Sequence, residues 1–204
     1  MSSEPSTQVT AAPTRSASPE ILSQRLRLRR FQADDLPAFV ADRSDPDVAR
    51  YQSWDTSYGM GDAKRFLAEQ NKAAFGQPGV WVQLAATDRV TGTLVGDCAV
   101  RVLADQPETA ELGVTFSPRY QGAGLAAEAM GALVDHLFEH VGLHRIFAET
   151  DDRNDAAQRL FARLGFRCEG RLVEADWFKD EWCTLRTHAL LRREWELSRR
   201  GIAP

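Results

Sequence analysis

A glycine-rich turn at residues 121–126 separates a stretch with strand character from a stretch with helix character. Such a turn exposes several backbone N–H groups, and the dipole of the following helix adds partial positive charge at the same place. Glycine also allows close approach of a ligand because it has no Cβ. We therefore predict a binding site for a phosphate or pyrophosphate group. The turn consists of Gln121, Gly122, Ala123, Gly124, Leu125 and Ala126.

Two familiar phosphate-binding motifs do not fit this turn. A P-loop requires Gly-Lys followed by Ser or Thr, and the turn contains no lysine. A Rossmann fold places its glycine turn in the first βαβ unit, whereas this turn follows several strands with short connections. The sequence therefore argues against both a P-loop NTPase and a Rossmann dehydrogenase.

The pattern of apolar residues predicts strands ahead of the turn. Strict alternation at residues 25–29 indicates a half-buried strand. Two helices are expected between this strand and residue 76. Strands at residues 80–86, 93–103 and 109–116 follow with short loops between them, which is typical of an antiparallel meander.

After the turn the apolar spacing becomes helical, at residues 125–141. A strand at 143–150, a helix that begins after Asn154, and a strand pair at 166–173 and 182–191 complete the order. This order predicts a mixed α/β (α+β) fold. Its central sheet is twisted and mostly antiparallel, with about seven strands and flanking helices. The strand–helix–strand unit around the glycine turn should form a right-handed parallel crossover.

Composition favours one domain and excludes several partners. The chain has 204 residues, of which 43% are hydrophobic and 26% charged, enough for one globular core. A net charge of -4 and a pI near 5.6 argue against general affinity for nucleic acid or an anionic membrane. Residues 1–20 are rich in Ser, Thr, Ala and Pro and have no apolar segment. We expect a disordered leader there, followed by a single domain at residues 21–204.

The cysteines and histidines suggest neither a disulfide framework nor a metal site. The three cysteines form no CxxC motif, which favours free thiols in a reducing, cytoplasmic compartment. No apolar run is long enough to span a bilayer. His136 and His140 have the i,i+4 spacing of metal ligands, but Leu137 stands where a zincin helix has glutamate. Solvated histidines near a helix end explain them better, and we expect no metal.

The turn resembles the Gln/Arg-x-x-Gly-x-Gly/Ala signature of the GCN5-related N-acetyltransferase (GNAT) family, as Gln121-x-x-Gly124-x-Ala126. It also lies between the same two elements as in that family. The segments Asn154-x-x-Ala157 and Leu164-Gly165-Phe166 are similar to the branch that contains the ribosomal-protein-alanine acetyltransferases. The resemblance implies the GNAT fold, acetyl-CoA as co-substrate, and a primary amine as acceptor.

The resemblance also implies how the cofactor lies. Its pyrophosphate should rest on the glycine turn, and its pantetheine arm should run beside Val114, Thr115 and Phe116. Asn154 matches the family asparagine that hydrogen-bonds the arm, although a helix N-cap explains it equally well. Phe161 stands where many members carry a tyrosine that protonates the leaving thiolate. We expect Phe161 beside the cofactor, with water, another group or an unassisted thiolate replacing the tyrosine.

An amine acceptor must lose a proton before it attacks the thioester, so a carboxylate base is useful. Glu111 is the candidate, because the matching family position often carries an acidic residue that faces the acceptor. On an alternating strand Glu111 shares a face with Gly113 and Thr115. A structural ion pair between Glu111 and an arginine is an equal alternative. Other candidates are Glu149, Asp151 and Asp152 at the end of the next strand.

Aromatic residues in the less regular segments are candidates for an acceptor pocket or a homodimer contact, and simple packing is the alternative. The acidic segment around residues 174–181 would attract a cationic acceptor. We expect a protein N-terminus or a small-molecule amine as acceptor. The second functional hypothesis is a non-catalytic acyl-CoA-binding or regulatory module on the same fold. The aromatic residues are Tyr51, Trp54, Tyr58, Trp177, Phe178 and Trp182.

Overall fold

The computed structural model describes residues 19–201, in which eight strands form one sheet and six α-helices pack around it. Most of the leader expected at residues 1–20, namely the part up to Ser18, lies outside the described residues. Its disorder therefore stays a prediction. The first half contains β1 (Ile21–Leu22), β2 (Leu26–Arg30), α1 (Leu36–Arg43), α2 (Pro46–Ala49), α3 (Met60–Gln70), β3 (Trp81–Asp88), β4 (Leu94–Val102) and β5 (Thr109–Phe116).

The second half begins at the glycine turn. Its first helix continues as a short π-helical turn at Leu137–Val141. The elements are α4 (Leu125–His136), β6 (Arg145–Asp151), α5 (Asp155–Arg163), β7 (Arg167–Phe178), β8 (Glu181–Leu191) and α6 (Arg192–Arg199).

The order of strands in the sheet is β1-β2-β3-β4-β5-β6-β8-β7. Every neighbouring pair is antiparallel except β5 and β6, which are parallel and connected through α4. The predicted mixed fold and its parallel crossover are therefore confirmed. β5 and β6 pair only at Thr109–Glu111 and then separate, so the rest of β5 has no partner strand on that side.

Four local features differ from the sequence prediction. Three helices, α1, α2 and α3, stand where two were expected, because the four-residue α2 is too short to show a helical period. The sheet has eight strands instead of about seven, because the two-residue β1 is too short to show a periodicity. α6 forms after β8, where the sequence shows no clear apolar stripe. β7 continues to Phe178, and the hairpin turn is only Lys179 and Asp180, both with positive φ. Two bulges in β7 break the alternation that would have shown its length.

The sheet has two covered faces. On the back face, Leu84, Cys98 and Leu112 pack with Met130 and Leu133 of α4 in the main core. A second cluster lies on the front face, where α1 and α3 pack over β3 and β4; it contains Phe31, Leu36, Phe39, Ala63, Ala85 and Leu94. Buried apolar surface on both faces holds β3, β4 and β5 rigidly in place beside the opening between β5 and β6.

Gly96 allows β4 to approach β5 closely at the end that borders this opening. A Cβ on Gly96 would collide with the carbonyl oxygen of Thr115 and would lie 2.8 Å from the ring of Phe116. We predict that Gly96→Ala lowers the free energy of unfolding by about 1–3 kcal/mol, measured by urea denaturation. Gly113→Ala is the matched control, because its Cβ would meet only the Cβ of Ala99, at 3.5 Å. Equal losses in the two variants would contradict the prediction.

Candidate active site

A cleft of about 680 Å³ opens where β5 and β6 separate. Four parts of the chain surround it: the end of β5, the glycine turn with the start of α4, α5, and α2 with the residues after it. The walls consist of Val114, Thr115 and Phe116; Tyr120, Gln121, Gly122, Gly124, Leu125, Ala126 and Ala127; Asn154, Ala156, Ala157, Arg159, Leu160 and Arg163; and Asp47, Val48, Arg50, Tyr51 and Gln52.

The glycine turn presents free backbone donors to the cleft. Gly122 and Gly124 both have a φ of 77°, a left-handed conformation that costs other residues energy. Gly124 is the N-cap of α4, and no side chain caps this helix. The first residues of α4 line the cleft, and their N–H groups have no capping partner among the described residues, at a place where the helix dipole favours an anion.

Side chains from other elements hold the turn in position. The Gln121 side chain donates a hydrogen bond to the carbonyl oxygen of Phe116 at 2.8 Å, and Arg25 donates one to the carbonyl oxygen of Ala123 at 3.1 Å. Arg25 is itself fixed by the carboxylate of Glu128, which accepts hydrogen bonds from its backbone N and its Nε, each at 2.6 Å. Ser23 donates a further bond to Glu128 at 2.7 Å. Glu128 thus links the strand edge to the turn.

Asn154 has the helix-cap role that was one of its two expected roles, and its hydrogen bond to the cofactor arm stays a prediction. Its Oδ1 accepts a hydrogen bond from the backbone N of Ala157 at 3.1 Å, which caps α5, and the residue also lines the cleft. The cap aligns α5 so that one side, with Ala157 and Leu160, forms a cleft wall. Val114, Thr115 and Phe116 also line the cleft, and the course of the pantetheine arm beside them stays a prediction.

Phe161 and Ala123 do not belong to the walls of the cleft. Phe161 is only 2% exposed and packs in the core against Phe166 and His188 at centroid distances of 5.3 and 5.7 Å. One helical residue corresponds to a rotation of about 100°, so Phe161 faces the sheet while Leu160 faces the cleft. Phe161, expected beside the cofactor, therefore lies in the core and not in the cleft wall.

Several cleft residues were not found from the sequence. Arg159 and Arg163 lie one turn apart on α5, and Arg50 follows α2 on the opposite wall. The sequence does contain one signal for Arg159 and Arg163, which is their i,i+4 spacing on the helix that begins after Asn154. These guanidinium groups give the cleft a positive side, although the whole chain carries a net charge of -4.

α2 and the residues after it are attached to the second half of the chain. Lys179 in the β7–β8 turn donates a hydrogen bond to the carbonyl oxygen of Ala49 at 2.5 Å. The hydroxyl of Tyr51 donates one to the carbonyl oxygen of Arg153 at 3.3 Å. These bonds hold this wall of the cleft against the segments that flank β6 and β8.

Glu111 lies on the front face, outside the cleft walls. Its carboxylate forms an ion pair with Arg101, the residue directly opposite on β4, and its side chain is 15% exposed. The guanidinium of Arg101 also lies 4.9 Å from the ring centre of Trp81. The ion pair is the alternative that the sequence leaves open for Glu111, and its function as a base stays a prediction.

Residues 19–201 contain no group of three or more His, Cys, Asp or Glu side chains arranged to hold a metal ion. His136 and His140 lie near each other, with ring centres 5.0 Å apart, but His136 also packs against Phe75. In the same part of the chain, every helix is too short or too polar to cross a bilayer.

Comparison with known proteins agrees with this geometry. The family model of the acetyltransferase (GNAT) domain matches residues 25–167. The chain belongs to the GNAT family. It is 29% identical to the uncharacterized N-acetyltransferase YnaD of Bacillus subtilis over 175 residues, which cover 86% of this chain and 98% of the relative. Membership makes this chain an acyl-CoA-dependent acetyltransferase.

Solved structures of the GNAT family have the same fold. A GNAT acetyltransferase from Bacillus anthracis superposes with a TM-score of 0.76 at 26% identity, covering 86% of this chain and 99% of its own. Spermidine N-acetyltransferase of Vibrio cholerae, solved with CoA and spermine, gives a TM-score of 0.72 at 19% identity, covering 84% of this chain and 98% of its own. At that identity the second likeness shows the fold alone.

Glu128 provides a test of how the turn is held. We predict that Glu128→Gln lowers the free energy of unfolding by about 1–2 kcal/mol, because it weakens the bonds from Arg25 and Ser23. Burial raises the pKa of Glu128, but these hydrogen bonds outweigh it and the pKa is lowered from 4.5. The contribution is therefore present above about pH 4.5 and is lost as the pH falls through the folded-state pKa.

The control for this variant is Glu139→Gln, at the far end of the same helical segment, where the side chain is 41% exposed. Urea denaturation at pH 7 should show a change below about 0.5 kcal/mol in that variant. A loss from Glu128→Gln that persists unchanged at pH 3 would contradict the assigned role.

Proposed function

We propose that this enzyme transfers the acetyl group of acetyl-CoA to a primary amine by direct attack in a ternary complex. The observation that carries the proposal is the uncapped, left-handed glycine turn at the mouth of the cleft between β5 and β6. This arrangement suits a cofactor that has a pyrophosphate and a long arm with amide groups. The family of the chain supports the same chemistry.

In this proposal the pyrophosphate lies on the N–H groups of the turn and of the first turn of α4. The arm follows the part of β5 that lacks a partner strand, from Val114 to Phe116, where free backbone groups can pair with its amides. Arg159 and Arg163 are placed to pair with the remaining phosphate oxygens of the cofactor. Asn154 caps α5 and keeps this wall in register.

The acceptor must be a neutral amine when it attacks the thioester carbon. Its nitrogen then bonds to the carbonyl carbon, the carbon–sulfur bond breaks, and the CoA thiolate leaves. Because Phe161 is buried and cannot donate a proton, we propose that the proton lost by the amine nitrogen reaches the thiolate through water. Thiols with a pKa of about 8.5 are adequate leaving groups without assistance.

The acceptor class is proposed from charge and from relatives. A spermidine N(1)-acetyltransferase of Escherichia coli is 36% identical over 64 residues, which cover 31% of this chain. The β7–β8 hairpin exposes Trp177 and Trp182 beside acidic residues, which suits a cationic amine or a contact between two copies of the chain. The free thiols of Cys98, Cys168 and Cys183 are consistent with activity in the cytoplasm.

Gly124 tests where the cofactor binds. We predict that Gly124→Trp weakens binding of CoA by about 100-fold or more, measured by calorimetry, because the side chain would fill the anion site. Gly92→Trp is the matched control. It imposes the same strain at a φ of 73° in an open turn that is not part of the cleft walls, and should leave CoA affinity unchanged. Normal CoA affinity in a folded Gly124→Trp variant would exclude the proposed site.

The reaction itself is tested by release of free thiol from acetyl-CoA in the presence of a panel of amines. We expect thiol release that depends on both substrates, with the acetylated amine identified by mass spectrometry. Gly124→Trp should abolish it, and Gly92→Trp should not. The burial of Phe161 keeps one other candidate, a non-catalytic acyl-CoA-binding module. Tight CoA binding without thiol release from any peptide, polyamine or small amine would favour that function.

A further inference from the structure

A cluster of buried polar side chains lies one strand away from the cleft, on the front face. Its centre is Asp97 on β4, which is 4% exposed. Asp97 stands directly opposite Thr115 in the register of β4 and β5, and Thr115 lines the cleft. Side chains paired in this way lie about 5 Å apart on the same face of a sheet. Thr115 is therefore the residue between Asp97 and the cleft.

The partners of Asp97 leave the cluster incompletely bonded. Nη2 of Arg43 is 4.0 Å from Oδ2 of Asp97, beyond hydrogen-bond distance, and donates a long bond of 3.3 Å to Gln83. The guanidinium lies 3.5 Å from the ring centre of Trp54 and 4.3 Å from that of Phe39. Between residues 19 and 201, no donor bonds to the Asp97 carboxylate.

Two buried donors in the cluster also have no acceptor among the described residues. They are Nε of Arg43 and Nε1 of Trp54. A buried network that is only partly bonded is less favourable than an apolar core of the same shape, because each unpaired group has lost its hydration. The Arg43 guanidinium packs among the rings of Phe39, Trp54, Tyr58 and Phe66, but that packing leaves its Nε without a hydrogen-bond acceptor among the described residues. The position of these unpaired groups beside the cleft points to a function in the reaction.

The charges around Asp97 come from two segments. Burial raises the pKa of Asp97 to about 6, while Arg43 lowers it and Asp42, also on α1, raises it. Tyr58, which precedes α3, is the remaining ionisable group of this face that interacts with Asp97. The facing residues of β3 and β5 are Ala85 and Thr115, which carry no charge. Asp97 can therefore exchange a proton near neutral pH.

We propose that Asp97 takes up the proton of the acceptor ammonium from the front face, across Thr115. This inference rests on the proposed acetyl transfer. One N–H bond of the ammonium breaks and its proton goes to the Asp97 carboxylate, by way of the Thr115 hydroxyl or a water. The nitrogen then bonds to the thioester carbon, the carbon–sulfur bond breaks, and a second proton from the nitrogen goes to the CoA thiolate.

Asp97 fits this function better than Glu111, which shares the same face four residues along β5 from Thr115. The Glu111 carboxylate is bound by Arg101 directly opposite, whereas Asp97 and its guanidinium are separated by 4.0 Å. Unpaired donors do not separate the two sites, because Nε of Arg101 beside Glu111 lacks a partner among the described residues just as Nε of Arg43 and Nε1 of Trp54 do. The sequence could not indicate this, because Asp97 lies inside the apolar run of β4.

The test is the pH dependence of kcat/KM for an amine acceptor found in the panel. In the wild type we expect kcat/KM to rise through pH about 6 as Asp97 loses its proton. In Asp97→Asn the rise should shift to the pKa of the amine, about 8 for a chain terminus or 10.4 for a lysine-like amine. At pH 7 the rate should fall by about 100-fold. CoA affinity should stay unchanged.

Removing the charges of both Asp97 and Arg43 distinguishes a structural function of Asp97 from a function in proton transfer. Asp97→Asn leaves the buried Arg43 cation without a counter-ion, so the double variant Arg43→Met/Asp97→Asn is measured beside it and beside Arg43→Met alone. The double variant should melt at or above the temperature of the wild type and keep the shifted pH profile. Return of the wild-type profile in the double variant would show that Asp97 only balances Arg43, and would overturn the proposal.

Two further outcomes have separate meanings. If Glu111→Gln shifts the pH profile and Asp97→Asn does not, the proton goes to Glu111 and the proposal is overturned. If the wild type binds acetyl-CoA but releases no thiol with any amine, the proposed function fails and this inference fails with it. A folded Asp97→Asn variant with the shifted profile and normal CoA affinity supports it.

Discussion

The site depends on the early separation of β5 from β6. The two strands are paired at only three positions, and beyond Glu111 the backbone of β5 has no partner on that side. Unpaired backbone groups away from water are unfavourable, so this gap persists only because other contacts fix both strands. β5 is held by β4 along its whole length, and β6 by β8 from Arg145 to Asp151. The cleft is therefore a consequence of sheet topology more than of any single side chain.

The separation of β5 from β6 also determines where the glycine turn lies. It follows β5 directly and begins α4, which packs on the back face of β5 and its neighbours. The bonds from Gln121 and Arg25 fix the turn against the end of β5 and the far edge of the sheet. Preorganisation of this kind reduces the conformational entropy lost when a ligand binds. The front face, in contrast, carries the buried charges of Arg43 and Asp97, where specificity and proton transfer can vary without disturbing the turn.

Sequence patterns predicted the parts of the molecule that depend on local chemistry. The glycine turn was recognisable because left-handed backbone requires glycine, and Asn154 because capping requires a side-chain acceptor. The sequence does not show the full length of β7, because its bulges interrupt the alternation of side chains between the two faces of the strand. Phe161 lies in the core because α5 is rotated so that this residue faces the sheet. The apolar stripe of the helix alone does not specify that rotation. Asp97 was missed because β4 is covered on both faces, so its apolar run hides the one carboxylate within it.

The gap between β5 and β6 also divides the sheet into two parts, β1–β5 and β6–β8, joined at one end by three residue pairs. A ligand that pairs with β5 and also contacts α5 would bridge the two parts and add contacts between them. Cooperativity between the parts would then be supplied partly by the cofactor itself. Resistance to unfolding, and not only turnover, would rise with cofactor concentration, and the pool of free cofactor would influence how long the folded enzyme survives.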